Sequence, residues 1–458
     1  MRRFMKFSNI TFSKETLLQN VSLAWPMTCN AILMQSVTII DLLLIASLGE
    51  TQVAAFGIAG AIIAFLIGIQ FAIANGTQLV LSRTVGAGNK KHIGLVMASA
   101  WVTNLSFSVL ALITLLLVGS PLIDFISHDP LVAAEAKSYV QVALLLLLFS
   151  SASQVVVVYF NSTRNTRIPL YGFMIEIPCN VICSIILIHG LWGAPELGLA
   201  GAAWGSVIAI VIRFTYLAYR FNQEKQRGKV EGFSVVNKAS VIEHIQEVVP
   251  IVANFIVLLT GALLFQMLFA QLPVPAYAAI TLVLPWIKIG SMFANTWTQA
   301  STIIVSQQIG KKEFTAIPPF VYQSLFVARI ISFFILLIFY TFSELAPAIY
   351  PNLSEATIIA LATIAPVYII LPLVRTNNMF CGNMIRAMGD SYLIVRINII
   401  TQWIISLPLC ALMIYLDAPL YVVFGIMLFD EVLKWQPFRK TLANRLKFYE
   451  NSKQVKSE

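Results

Sequence analysis

The sequence predicts an all-α polytopic membrane protein. It should have twelve transmembrane helices in two six-helix lobes, related by a pseudo-two-fold axis along the membrane normal. Three observations carry this prediction. The 458-residue chain is 58% hydrophobic and only 11% charged, with a mean hydropathy of +0.82, whereas soluble chains run about 45–50% apolar and about 25% charged. Its Lys and Arg fall in alternate loops. Its second half also repeats features of its first.

A bilayer crossing needs about 20 apolar residues, and uncharged stretches such as Ser138–Thr163, Leu197–Ile212 and Val248–Ile287 supply them. The last is too long for one span, and Pro273 and Pro275 divide it. Backbone groups in lipid must be satisfied within the segment, so the spans are helices; the period-2 alternation of a barrel is absent. Breaks at Gly, Pro and charge place the helices at 16–48, 51–83, 92–119, 130–161, 166–192, 196–221, 241–272, 275–307, 317–345, 354–386, 390–415 and 418–442. The basic, polar start "MRRFMKFSNITFSKETLLQN" lacks the apolar core of a cleaved signal. The five cysteines lie in apolar spans without metal-like spacing and read as small buried residues.

Lys and Arg accumulate on the cytoplasmic side of a membrane protein. Here they gather at the N-terminus (Arg2, Arg3, Lys6, Lys14), in the even-numbered loops and at the C-terminal end, most densely at Arg220–Lys238. The odd-numbered loops hold Glu50, Asp124, Asp129, Glu196, Glu344 and Asp417 but no Lys or Arg; Lys137 is the one exception nearby. The expected location is therefore the cytoplasmic (inner) membrane, multi-pass, with both termini cytoplasmic. This topology accounts for the net charge of +9 and removes a nucleic-acid partner from consideration.

At a shift of 224 residues Pro26 meets Pro250, "VAAFGIAG" (Val53–Gly60) meets "YAAITLVL" (Tyr277–Leu284), and Ser82 and Gly86 meet Ser306 and Gly310. "NSTRNT" (Asn161–Thr166) meets "RAMGDS" (Arg386–Ser391) at a shift of 225. Six helices per half make the repeats parallel, an arrangement known among secondary transporters. The division expected is an N-lobe at 1–221, a loop at 222–240, a C-lobe at 241–442 and a tail at 443–458.

With the repeat in view, the chain resembles the multidrug and toxic compound extrusion (MATE) transporters. The residues that carry the resemblance are "LVLSRTVGAGNKK", its partner "IIVSQQIGKKE", "GLAGAAWGSVIA" and "IRAMGDS". The first-helix Asp41, fifteen residues after Pro26, is similar to the DinF-like branch, in which that Asp joins an Asn and an Asp of the fifth helix in a proton or sodium site. The matching positions are Asn180 and Ser184, so one of the two usual carboxylates is a serine. The NorM-like acids of the second half are not matched: Gln266, Lys288 and Arg375 occupy those spans.

The residues point the same way without the resemblance. Asp41 and Ser184 each lie eight residues from the outer end of their helix, about 12 Å deep at 1.5 Å per residue. Asn180 stacks one turn below Ser184 on the same face. An ionised carboxylate at such depth costs about 2.5–3.5 kcal/mol on insertion scales, and burial favours its protonated form. Packing alone is the plainer alternative. Pro26 removes the hydrogen bond to the Ser22 carbonyl and is expected to kink the helix below Asp41; a kink without any gating role is equally open.

Lys288, Arg375, Asp430 and Glu431 sit deep in the second half and read as an ion-paired network, with substrate passage as the sharper alternative. Gln35, Asn75, Gln78, Asn161 and Glu176 are candidates for lining a substrate cavity. No phosphate-cradling G-x-x-x-x-G-K-[ST] occurs, so no nucleotide is expected and an ion gradient must drive transport. No cofactor or structural metal is called for. The coupling ion is H⁺ in preference to Na⁺, because a sodium site wants more hard, anionic oxygen.

The function implied is cation-coupled export of organic, often cationic or amphipathic, small molecules by a monomer, not enzymatic turnover. A flippase for polyprenyl-linked glycans is the alternative. A prenyltransferase-like enzyme would need paired acidic motifs, and "FDEVLK" (Phe429–Lys434) stands alone.

Overall fold

The computed structural model describes residues 13–127, 129–230, 237–350 and 353–451, and these are helical nearly throughout. The first half holds α1 (Lys14–Ala46), α2 (Glu50–Ala87), α3 (Lys90–Ile126), α4 (Pro130–Ser162), α5 (Arg167–His189) and α6 (Gly198–Gln226). The second holds α7 (Lys238–Phe269), α8 (Val274–Gly310), α9 (Ile317–Ile349), α10 (Glu355–Ala387), α11 (Ser391–Asn398), α12 (Leu407–Tyr415) and α13 (Leu420–Asn451). A π-helical stretch, Ile399–Ser406, joins α11 to α12 in one continuous rod. The described residues therefore form twelve rods, the polytopic α-helical architecture the sequence predicts. Eleven of these are long and apolar enough to cross a bilayer; the twelfth, α13, carries Asp430, Glu431 and Lys434 along its length.

Local chemistry sets the ends. Gly88 terminates α2 in the left-handed region (φ 72°), where glycine has no Cβ penalty. Asn89 then caps α3 by accepting from the His92 N–H at 3.0 Å. Asp129 caps α4, with Pro130 in the first helical position, where its missing N–H costs nothing. Lys137, the basic exception in the charge pattern, pairs with Asp124 at 2.6 Å.

Most ends shift by a few residues, and two boundaries differ most from expectation. α3 does not stop at 119 but passes through Pro121 to Ile126. Ile123 is fully packed there, and its carbonyl still accepts from the Ser127 N–H at 2.8 Å, so tertiary burial outweighs one lost helix bond. α13 runs past 442 to Asn451. Leu442, Ala443, Leu446 and Tyr449 recur at helical spacing and are buried, Tyr449 lies 5.6 Å from the Phe314 ring centre, and Arg445 pairs with Asp390.

The chain divides into two compact units, and both crossings fall beside prolines. One unit, the N-unit, is Pro26–Val252; the other, the C-unit, takes α1 up to Trp25 together with everything from Ala253 onward. Each unit thus includes the opening stretch of the other half's first helix. In the C-unit, Asn20 of α1 donates to Ser301 Oγ (2.9 Å) and Ser324 Oγ (3.2 Å). In the N-unit, the buried His244 of α7 lies within hydrogen-bond distance of Thr77 on α2 (3.0 Å) and Thr103 on α3 (3.2 Å). Val248 packs so closely on Gly76 that a Cβ there would come within 2.9 Å of its methyl group.

The N-unit core has two apolar clusters, one around Ile45, Ala59, Tyr139 and Leu199, the other around Leu81, Met97, Tyr159 and Phe221. Its tightest pair is α5 against α6. At Gly201 an added Cβ would lie 2.5 Å from the Leu187 carbonyl oxygen, and Gly205 is seated on Ser184 just as closely. Small residues at this spacing let two helices approach in a membrane, where apolar burial cannot drive them together. The C-unit core is more aromatic, built on Phe265, Phe269, Phe339, Tyr368 and Phe424.

Candidate functional site

The α5–α6 contact positions the polar site of the N-unit. Ser206, next to Gly205 on α6, is carried into reach of both α1 and α5. Its hydroxyl accepts from Asn180 Nδ2 at 2.9 Å and donates to Asp41 Oδ2 at 3.4 Å. Asp41 is 7% exposed, Asn180 1% and Ser184 0%. Asp41 Oδ1, Asn180 Oδ1 and Ser184 Oγ are all buried and have no hydrogen-bond partner among the described residues. No Lys, Arg or His pairs with Asp41 among them either; the buried ion pairs lie elsewhere. A charge taken out of water without a counter-ion is strongly disfavoured.

Sequence reading brought Asp41, Asn180 and Ser184 together but missed Ser206. The signal was present: Gly198, Gly201 and Gly205 line one stripe of α6, and the polar residue beside such a stripe faces a close neighbour. Glu176, a cavity candidate by sequence, has a different setting. It accepts from Arg213 of α6 at 2.6 Å, with side chains 11% and 4% exposed. Arg213 also donates to Ser153 on α4 (3.2 Å) and lies 4.3 Å over the Phe173 ring. Arg213, directly after the uncharged run Leu197–Ile212 and inside the expected sixth helix 196–221, is a buried charge that the sequence reading does not single out. Of the other candidates, Gln78 and Asn161 are buried, Gln35 is half-buried and Asn75 is exposed; Asn161 Oδ1 has no partner among the described residues. Pro26 lies inside α1, at the crossing between units.

In the C-unit the charges assemble around a cavity of about 480 Å³, bounded by α7, α8, α10, the α11–α12 rod and α13. Arg375 Nε lies 3.6 Å from Glu431 Oε1, and Asn378 Nδ2 donates to Glu431 Oε2 at 2.9 Å. Lys434 pairs with Asp430 one turn away on the same helix, and Ser406 donates to the other Asp430 oxygen at 3.3 Å. Lys434 was read as an end charge by sequence and is in fact deep. Lys288 behaves oppositely: it is exposed on α8 and does not line the cavity. Among the described residues no cluster of three or more His, Cys, Asp or Glu is placed to hold a metal ion.

The family model MatE matches residues 26–186 and again 250–412, beginning at Pro26 and at Pro250. Among curated proteins, the uncharacterized transporter YisQ of Bacillus subtilis is 24% identical over 412 residues, covering 85% of this chain and 86% of that protein. The probable multidrug resistance protein YoeA of the same organism is 21% identical over 68% of each. Among solved structures, the Vibrio cholerae MATE transporter VcmN in the bent form superposes with a TM-score of 0.82 at 21% identity, covering 95% of this chain and 98% of that one. A MOP superfamily transporter from Pyrococcus furiosus, whose binding pocket of reverse polarity suggests a different function, gives 0.78 at 13% identity over 97% and 99%.

Proposed function

The chain belongs to the MatE family, and on that premise we propose that it exports organic, often cationic or amphipathic, compounds in exchange for H⁺, by alternating access. Family membership makes it a secondary active membrane transporter and not an enzyme. One observation supports the coupling role: Asp41 is a buried carboxylate with no counter-ion among the described residues, and Ser206 donates to one of its oxygens. Protonation removes its charge; release of the proton leaves an anion that neutral hydrogen-bond donors such as Ser206 stabilise less than a fixed cation would. The site therefore changes its own hydrogen bonding with each proton taken up.

Asn180 positions this response. Its amide donates to Ser206, so the Ser206 hydroxyl proton is directed at Asp41. Ser184 holds the α5 backbone against Gly205 and so fixes Ser206 in register. Pro26, a turn-breaking residue fifteen positions before Asp41, gives α1 a place to bend as the charge changes. With both termini on the cytoplasmic side, the proton enters from outside and leaves inward. H⁺ is preferred to Na⁺ because only one of the ligands is anionic. A first-helix acid with no second-half counterpart favours the DinF-like branch.

The test is Asp41→Asn in inverted membrane vesicles, following dye efflux under an imposed pH gradient, with and without Na⁺. Loss of efflux in a variant that inserts normally supports the reading, and the Na⁺ arm identifies the ion. Efflux that persists in Asp41→Asn removes Asp41 from the mechanism.

A further inference from the structure

We propose that the C-unit cavity is a binding site for an amphipathic organic anion, held by the guanidinium groups of Arg386 and Arg375. It shares no residue with the Asp41 site, and the sign of ligand it takes is opposite to that expected of an organic-cation exporter.

The charge balance of the wall decides the sign. Three cations (Arg375, Arg386 and Lys434) and two carboxylates (Asp430 and Glu431) line the space. Both carboxylates are already answered. Asp430 has Lys434 on one oxygen and Ser406 on the other; Glu431 has Asn378 on one and the Arg375 Nε edge near the other. Arg375 meets Glu431 only loosely, through Nε at 3.6 Å, and its side chain stays 42% exposed. Arg386 donates to the Asn383 amide oxygen at 3.3 Å and meets no carboxylate among the described residues; the nearby Asp390 is taken by Arg445. A cation entering this space would face a net positive wall whose acids are occupied. A carboxylate, sulfonate or phosphate would meet planar donors suited to two-point recognition.

The remaining surface describes the rest of the ligand. Leu258, Phe265, Leu371, Met379, Met427 and Phe438 give one side an apolar lining, and the volume suits a single drug-sized molecule, for which pockets of about 300–1,000 Å³ are usual. Two further lining side chains are almost wholly buried, Asn378 at 2% and Gln402 at 6% exposed. Their carbonyl oxygens have no partner among the described residues. Gln402 is held rigidly, since it belongs to the π-helical stretch and is wedged against Gly261 of α7. A widened helical turn that seats a polar side chain at a cavity is a common setting for binding.

Binding is tested on the purified full-length protein in phosphatidylcholine nanodiscs by isothermal titration calorimetry. The probes are 1-naphthalenesulfonate and (1-naphthylmethyl)ammonium, which share an apolar body and differ in charge. The sulfonate should bind saturably and more tightly than the ammonium. Arg386→Gln should weaken it by about tenfold or more, the usual scale for losing a hydrogen bond to a charged group. Arg386→Lys, which keeps the charge but loses the planar fork, should recover only part of the affinity, and Lys288→Gln, outside the cavity, should leave it unchanged. Gly382→Leu provides a steric variant that alters no charge: Gly382 lines the cavity, and a Cβ there meets nothing nearer than Phe438 at 3.9 Å, so a leucine should block the sulfonate. Repeating the titration with phosphatidylglycerol in the disc separates two sources of the same chemistry. Displacement assigns the site to an anionic lipid headgroup, and no displacement assigns it to a soluble anion. Tighter binding of the ammonium, or sulfonate affinity unchanged in both Arg386→Gln and Gly382→Leu, overturns the proposal while leaving the Asp41 reading untouched.

Discussion

Replacing Arg213 by methionine should damage the N-unit far more than replacing Arg213 and Glu176 together. Both side chains of this pair are nearly inaccessible, and they meet at 2.6 Å. Removing one partner strands a charge in a dry interior, at about 3–5 kcal/mol. The cation–π contact with Phe173 adds about 0.5–2 kcal/mol. Arg213→Met with Glu176→Gln also loses the ring contact but leaves no charge behind, so its cost should stay near about 1–2 kcal/mol. At about 2–4 °C per kcal/mol for a unit of this size, the single variant should melt about 7–28 °C lower, and the double should recover most of that. The assay is thermal unfolding of the detergent-purified protein at one fixed scan rate, since such unfolding is commonly irreversible. A double variant that melts as low as the single refutes the ion-pair account. A double variant that melts normally but no longer exports dye shows that Glu176 serves transport directly.

Two further substitutions probe the packing that places the sites. Gly205→Ala should cost about 1–3 kcal/mol by overpacking, because its Cβ would sit 2.7 Å from the Ser184 amide nitrogen, and should depress dye efflux by displacing Ser206; Gly57→Ala, with open space around it, should do neither. Lys434→Met should lower the melting point of the C-unit by leaving Asp430 buried with only Ser406, a loss of about 3–5 kcal/mol, and Asp430→Leu in the same chain should restore most of it; no recovery would mean that Lys434 acts through something other than this pair.

The spans and their order could be read from sequence because hydropathy reports depth. Asp41 was visible for the same reason: one acid between Glu15 and Glu50 has nowhere to be except inside the span. What depth does not report is direction around the helix axis. Lys288 and Arg375 look alike in sequence, yet α8 turns the first outward while α10 turns the second onto the cavity. Lys434 reads as part of the basic C-terminal end although its carboxylate, Asp430, lies one turn away on the same helix. Arg213 draws no attention in sequence, because only the position of α5 brings Glu176 to it. The extension of α13 to Asn451 was hidden because its buried side chains, Leu442, Leu446 and Tyr449, are interleaved with charges that suggest a solvated tail. The MatE match beginning at Pro26 and Pro250 fits the repeat read at that shift.

The crossings at the two prolines impose a timetable on the nascent chain. Asn20 leaves the ribosome early, but its partner Ser301 follows 281 residues later, which is about 15–60 s at about 5–20 residues per second. Throughout that interval the opening stretch of α1 has no permanent seat, and its amide must be satisfied by water or by a temporary neighbour. The N-unit closes first, when the stretch of α7 that carries His244 and Val248 emerges and reaches α2 and α3. Only afterwards is the C-unit synthesised around an arm that was made at the very beginning. The opening stretch of α1 thus meets its partners only after synthesis of the second half is well under way.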